Sequence, residues 1–381
     1  MCSSRRYTAL FRSPQKTSKF QKMQKRRSLF SKLIIALACL SVLMLWFCAL
    51  SSFVSPQHFK LLGVITLAFP FFLAFVLFMQ LMVLLFAKKY WWVPLLGMAC
   101  CFVPIRTYFP INKSSEIPEG SIKVLSYNVL GYGNKEKNAN GVNAVADYIV
   151  NSGASIVCLQ EAFLEPIETY KEVTSYVQRE LPYYDTLKIN GNLLSCYSKY
   201  QIIGKEHICE IGAHGSCAFL LKMPDGDTLR VVNCHLRSMN LSHSDRATYR
   251  NIMHASEEVE ITDTTSRRLI SKICNAAVAR AVQTDKIVAY LKKHKGEKLI
   301  LCGDFNDSPL SYTHQSFRSQ GLADAYASSG RGLGRSYNRD AIIVRIDHIL
   351  YSDHWKAYGA TVDKSIKTSD HYPIYTYLKE K

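Results

Sequence analysis

The segment Lys298-Leu299-Ile300-Leu301-Cys302-Gly303-Asp304-Phe305-Asn306-Asp307 decides how the rest of the chain is read. Its apolar run is too short for a helix and suits a strand buried on both faces. Asp304 and Asn306 follow directly, at the end of that strand, where a rigid α/β sheet sets reacting groups. The same plan recurs on either side. Val124-Leu125-Ser126-Tyr127 leads to Asn128, Ile156-Val157-Cys158-Leu159 to Gln160-Glu161, and Val231-Val232-Asn233-Cys234 to His235. Farther on, Asp347-His348 opens an apolar run, and Ser369-Asp370-His371 stands just ahead of Tyr372-Pro373-Ile374.

Working outward, residues 121–381 read as one α/β domain. Strands are expected at 122–127, 155–159, 193–197, 217–223, 229–233, 298–302, 347–351 and 374–377. Helices are expected at 142–152, 166–180 and 265–294, the last with Ile270, Ile273, Ala277, Ala281, Thr284, Ile287, Val288 and Leu291 near one face. Asp225-Gly226-Asp227 reads as a hairpin turn. Polar stretches at 237–264 and 305–340 are long enough to suggest functional or disordered loops. Residues 110–120, rich in Pro, Ser, Asn and Gly, mark a linker.

The charge balance separates this domain from what precedes it. The net charge of +17 suggests a nucleic-acid binder, but no Asp or Glu precedes Glu116, whereas 15 of the 47 Lys and Arg do. From Glu116 onward 32 basic residues face 30 acidic ones, so the domain lacks the overall charge of a dedicated DNA binder. Residues 1–32 form a basic tail, expected to stay in the cytoplasm. Residues 33–109 form a transmembrane region with two to three helices at about 33–54, 61–87 and 90–108. The basic lead and the first apolar run are both too long for a cleaved signal peptide. Lys88 and Lys89 mark a second cytoplasmic turn, and three crossings put the domain outside the cytoplasm, in the periplasm if the source is bacterial. Two crossings would leave it inside, toward which seven cysteines after residue 110 without paired spacing lean, but three crossings with an extracytoplasmic domain are the expected arrangement. Several of those cysteines sit in apolar runs and read as core thiols rather than zinc ligands.

Each polar cluster alone has an ordinary structural reading: an Asn turn, a helix start, a Gly-Asp turn, a loop closed by Pro373. Together the residue types are coherent. Glu161 and Asp304 are hard oxygen donors of the kind Mg²⁺ or Mn²⁺ takes. Histidines and asparagines supply hydrogen bonds to a phosphate, and a histidine beside carboxylates has the acid–base range needed near neutral pH. Neither a Walker loop nor a Gly-x-Ser-x-Gly elbow occurs.

The order Asn, Glu, His, Gly-Asp-x-Asn, Asp, Ser-Asp-His-x-Pro resembles the endonuclease/exonuclease/phosphatase superfamily over about residues 121–378. The resemblance implies a four-layer α/β (α+β) sandwich of two packed mixed β-sheets flanked by helices, here preceded by the transmembrane helical region. It also implies hydrolysis of a phosphate ester with a divalent metal, Mg²⁺ or Mn²⁺. By resemblance, Glu161 is a metal ligand with Asn128 beside it, and Asp370 is the metal-side Asp. Asp304 orients or deprotonates the attacking water, Asn306 bonds the phosphoryl oxygens, and His371 acts on phosphate or water, polarised by Asp347. His235 matches a second His of the nuclease and sphingomyelinase branches, and the Arg280/Gln283 pair is expected to be structural. Arg246 with His243, Tyr249 and Arg250 suggests a lid or a solvated loop. Arg331, Arg335 and Arg339, with Tyr337 interleaved, suggest either a substrate-binding strip for a second anionic group or a stacked base, or a charged solvated turn. The substrate stays open between nucleic acid and a phospholipid or small phosphodiester. The lipid bilayer is the other expected partner, and no obligate protein partner is inferred. The alternative function is a catalytically silent binding or scaffold module on the same fold.

Overall fold

A computed structural model describes residues 14–163, 165–239, 241–242, 244–246, 263–339 and 344–381. The chain forms two compact units, one of Met1–Phe47 with Phe69–Phe102, the other of Cys48–Ala68 with Val103–Lys381.

In the first unit, Ile34 and Ala38 of the helix Pro14–Ser51 pack against Met79 and Val83 of the helix Phe69–Phe86. Gly97 lets another helix, Trp92–Cys100, approach closely: a Cβ there would lie 2.5 Å from Val42 Cγ2, and the Trp46 indole N–H donates to the Gly97 carbonyl at 2.9 Å. The apolar stretches Leu29–Ser51 and Leu62–Phe86, 23 and 25 residues long, are long and apolar enough to cross a bilayer. They are only 39% and 28% buried, and Leu33, Leu43, Phe47, Phe78, Leu81 and Leu85 are exposed. The third apolar stretch is two helices, Trp92–Cys100 and Phe102–Tyr108, with a break at Cys101. Pro104 has no N–H to give to Cys100, which accounts for the interruption.

In the second unit, twelve strands form two six-stranded sheets. The first sheet has the order β11 (Trp355–Val362), β12 (Ile374–Glu380), β1 (Ile122–Asn128), β2 (Ile156–Gln160), β4 (Asn192–Ser198), β3 (Tyr183–Ile189). The second runs β5 (Ile202–Ile211), β6 (His214–Lys222), β7 (Thr228–His235), β8 (Leu299–Asp304), β10 (Asp347–Tyr351), β9 (Ala323–Asp324). Each sheet is mixed: β1 runs parallel to β2 and β7 parallel to β8, while the other pairs are antiparallel. The core between the sheets includes Val124, Ile156, Phe219, Val231, Ile300 and Ile349, together with the thiols Cys158, Cys196, Cys217 and Cys302. The helices Ala144–Asn151 and Ile167–Val177 cover the outer face of the first sheet. The long helix Asp263–Lys293 and the helix Tyr312–Arg318 cover that of the second. This is the expected four-layer sandwich.

The stretch 305–340, expected to be loop, instead contains the helix Tyr312–Arg318, β9 and the helix Ala325–Ser329. Ser311 and Asp324 cap the two helices, Ser311 Oγ accepting from His314 N at 3.2 Å and Asp324 Oδ1 from Tyr326 N at 2.7 Å. The hairpin at Asp225-Gly226-Asp227 forms, with Gly226 at φ 90°.

Residues 48–68 pack on this unit. Gln57 Nε2 donates to Asp285 Oδ2 at 2.7 Å, and the Tyr312 hydroxyl donates to Asp285 Oδ1 at 2.6 Å. Gly63 crosses the long helix so closely that a Cβ would lie 2.4 Å from Ala277 Cβ. The docking of a segment between two apolar helices onto the α/β unit has no counterpart in the sequence-based expectations.

Candidate active site

The two parallel pairs end together. Asn128 stands opposite Gln160 at the ends of β1 and β2, and His235 opposite Asp304 at the ends of β7 and β8. Asp347, first residue of β10, pairs with Asp304 across an antiparallel register. Gly303 makes the last step possible: its φ is 135°, and a Cβ would lie 1.9 Å from the Cys234 carbonyl oxygen. Glu161 and Asn306, just beyond β2 and β8, both lie in the left-handed region with φ 52°, unusual for residues with a Cβ. Residues Leu130–Lys135 form a left-handed turn, and Gly131 N donates to the Glu161 carbonyl at 2.8 Å, fixing the backbone that carries this side chain.

Asp304 Oδ2 is the hub. It accepts from Asn128 Nδ2 at 3.1 Å and from Asn306 Nδ2 at 3.1 Å. It also lies 3.6 Å from His371 Nε2 and 3.8 Å from His235 Nε2. Asp304 Oδ1 accepts from Asn306 N at 2.8 Å. Burial pushes the Asp304 carboxyl up to about 6, against the pull of His371. Glu161 is raised too, by burial first, although Asn128 Nδ2 donates to its Oε1 at 3.2 Å.

The two histidines differ. His371 Nδ1 donates to Asp347 Oδ2 at 2.9 Å. Burial opposes its charge, but the Asp347 and Asp304 carboxylates outweigh it and hold the imidazole up to about 10. His235 is lowered by burial. Because Asn192 Nδ2 donates to His235 Nδ1 at 3.2 Å, the single proton of neutral His235 sits on Nε2, facing Glu161 Oε1 at 3.5 Å. The His214 ring lies 4.6 Å from that of His235, and burial, then the neighbouring His235, lowers it to about 3.

A cleft of about 190 Å³ brings the set together: Glu161, His235, Asp304, Asn306, Asp370, His371 and Tyr337 line it, with Arg246 and Leu67. Asn128 and Asp347 stand behind them as hydrogen-bond partners. The Tyr337 ring meets His371 edge-on at 5.2 Å. Arg335 is placed elsewhere: its Nε donates to the Tyr337 carbonyl at 2.7 Å, and it lines a separate cavity with Arg331 and Lys364. Arg339 is exposed. His243, Tyr249 and Arg250 lie outside the described residues. Arg280 and Gln283 hold the chain behind the site: Arg280 Nε donates to Asp307 Oδ2 at 3.1 Å and its Nη1 to the Arg237 carbonyl at 2.9 Å, while Gln283 Oε1 accepts from Arg237 N at 2.9 Å.

Sequence reasoning missed Leu67, Asn192, His214 and Ser336. Ser336 Oγ accepts from Ile346 N at 3.0 Å and Asp347 N at 3.1 Å, setting the start of β10. None carries a local signal: Leu67 lies in an apolar run, and Asn192 and Ser336 lie beside glycines and polar residues that read as turns.

A family model described as the Endonuclease/Exonuclease/phosphatase family matches residues 125–371, and one of a domain of unknown function matches residues 31–108. No curated protein matches the chain. Among solved structures, an endonuclease/exonuclease/phosphatase from Beutenbergia cavernae is 12% identical with a TM-score of 0.47, covering 68% of this chain and 72% of its own. The catalytic domain of human Nocturnin with bound sulfate anion is 16% identical at 0.47, with 68% and 94% covered. A mannosyl-6-phosphatase of Bacteroides thetaiotaomicron is 19% identical at 0.44, with 68% and 100% covered. On the match over residues 125–371, the chain belongs to the endonuclease/exonuclease/phosphatase family, whose members hydrolyse phosphate esters.

Proposed function

We propose that this protein is a membrane-anchored, divalent-metal-dependent phosphoesterase with its catalytic domain in residues 121–381. The observation that carries the reading is the convergence of Glu161, His235, Asp304, Asn306, Asp370 and His371 on one cleft, delivered by separate strand ends. The donor set fits a hard cation. Glu161 and Asp370 bring carboxylate oxygens to the cleft. Those two residues would hold Mg²⁺ or Mn²⁺. Asn128 turns its amide N–H groups toward Glu161 and Asp304, so it orients both, and direct ligation would need its Oδ1 turned inward. Bound there, the ion would polarise a phosphoryl oxygen and offset the negative charge of in-line attack.

The chain's own groups do the rest. Asp304 Oδ2 takes the proton of the attacking water. His371 Nε2 and Asn306 Nδ2 donate to phosphoryl oxygens, and Asp347 keeps the His371 ring oriented through Nδ1. Neutral His235 presents its Nε2 proton on the same side. Tyr337 borders the bound ester, and Arg335 contributes by holding the Tyr337 backbone.

The two helices of spanning length support the anchor. Residues 48–68 and the catalytic region share one compact unit, which supports their lying on the same side of the bilayer. With the basic tail inside, that side is extracytoplasmic, and the broken helix pair at 90–108 makes the third crossing.

The test uses full-length protein in detergent with bis(p-nitrophenyl) phosphate. Chelation is expected to abolish turnover and Mg²⁺ to restore it. Asp304→Ala and His371→Ala are each expected to lower kcat about 10²- to 10⁴-fold with the fold intact by circular dichroism. Full activity in either variant removes the assignment. Absence of both turnover and Mg²⁺ uptake favours the silent binding module.

A further inference from the structure

The cleft has a second character that the catalytic groups do not use. Beside the carboxylates and histidines it is lined by Leu67, Met239, Leu241, Val344 and Ile346. Arg246 is the single Lys or Arg among its described lining residues. A groove that tracks a nucleic-acid backbone needs a row of cations and stacking rings. Among the described lining residues it offers one cation and one tyrosine ring, set beside an apolar wall.

The source of that wall is informative. Leu67 belongs to the apolar stretch Leu62–Phe86 and lies two residues before the helix Phe69–Phe86, so its Cα is within about 7 Å of the start of that helix. The segment that carries it is fastened to the catalytic region by the Gln57–Asp285 hydrogen bond and by Gly63 against Ala277. On the same segment Phe59 and Leu61 are 67% and 62% exposed. Large apolar side chains on a short connector between two membrane-crossing stretches belong in the interfacial layer of a bilayer.

We propose that the substrate is a phospholipid, whose headgroup phosphate enters the cleft across Leu67 while its acyl chains stay in the bilayer, with Phe59 and Leu61 seating the rim in the lipid surface. The proposal rests on the phosphoesterase reading and deepens it. In the reaction the oxygen of water bonds to phosphorus, the P–O ester bond breaks, and the leaving oxygen departs with a proton. Acyl chains held outside the cleft explain why a site of about 190 Å³ needs room only for the phosphate and its nearest atoms.

The test uses the full-length protein in nanodiscs of phosphatidylethanolamine and phosphatidylglycerol with Mg²⁺. Water-soluble and lipid products are both measured. The same preparation is assayed on the deacylated glycerophosphodiesters, on a single-stranded DNA oligonucleotide and on bis(p-nitrophenyl) phosphate. The expected result is a kcat/KM for the intact lipid at least tenfold above that for its deacylated counterpart. In the double variant Phe59→Asp, Leu61→Asp this ratio is expected to fall at least fivefold. The ratio is taken within one preparation, so loss of folded protein cancels. Equal or better turnover of the deacylated ester or the oligonucleotide overturns the proposal and leaves the phosphoesterase reading standing. An unchanged ratio in the double variant also overturns it. No turnover of any of the four substrates overturns both.

Discussion

Asp304 accepts two amide hydrogen bonds and faces two imidazoles through a single oxygen, and this concentration of partners makes the site sensitive to the groups behind it. Asp347→Asn keeps the shape but removes the charge that retains the His371 proton, and kcat is expected to fall about 10²- to 10⁴-fold with little change in KM. Steady-state kinetics checks this. A second buried cluster has a different role. His314, Asp324 and His348 offer ligand atoms within 4.8 Å of one another, but Arg345 Nη2 donates to Asp324 Oδ2 at 2.7 Å, and a guanidinium there leaves no need for a metal cation. Burial opposes ionisation of Asp324, yet Arg345 and His314 hold its carboxyl well below the usual range. A depressed acid contributes stability that is present above its unfolded value and is lost as pH falls through the folded one. Asp324→Asn is therefore expected to destabilise the unit by about 3 kcal/mol at neutral pH. The deficit should narrow only below about pH 4, as read by denaturant unfolding at several pH values. The residues at the hub were legible because each stands at the end or just before the start of a strand that the sequence spells out. Leu67, Asn192 and His214 were not, because their relevance exists only after distant segments meet.

At the scale of elements, the expected strands are β1, β2, β4, β6, β7, β8, β10 and β12, all interior to their sheets. The four that were not foreseen, β3, β5, β9 and β11, are the four edges. An interior strand is buried on both faces and reads as a continuous apolar run, whereas an edge strand carries polar residues between its apolar ones. In β5 the run Gly204-Lys205-Glu206-His207 hides a strand whose burial simply alternates. β9 has two residues, and β11 bends at a register shift between Tyr358 and Thr361. The helices of 305–340 were hidden by their polar composition, since their starts rest on single caps at Ser311 and Asp324. The parallel contact between β7 and β8 depends on Gly303. Gly303→Ala is expected to cost more than about 3 kcal/mol, because the new Cβ meets the Cys234 carbonyl and the φ is unfavourable for any L side chain. The measurement is the denaturant midpoint, compared with Gly226→Ala, where a Cβ meets nothing within 4 Å and only the backbone term remains.

For the whole molecule the testable quantity is sidedness. On the proposed three crossings, alkaline phosphatase fused after Lys381 is expected to be active and a fluorescent protein there dark. A fusion after Lys89 is expected to show the reverse pattern. An inactive phosphatase at the C-terminus would contradict three crossings. Composition alone could separate the apolar third from the neutral remainder, because no acidic residue precedes Glu116. It could not reveal that seventeen-odd residues between the first two apolar helices join the later domain, since that depends on Gly63 fitting Ala277 and Gln57 reaching Asp285.

That junction bears on how the enzyme can be prepared. A fragment begun at the linker would leave Ala277 and Asp285 without their cover and the catalytic groove without one of its walls, Leu67. Biochemistry on such a truncation would report a stickier and blunter catalyst than the intact chain, and a weak rate from it would measure the excision rather than the chemistry.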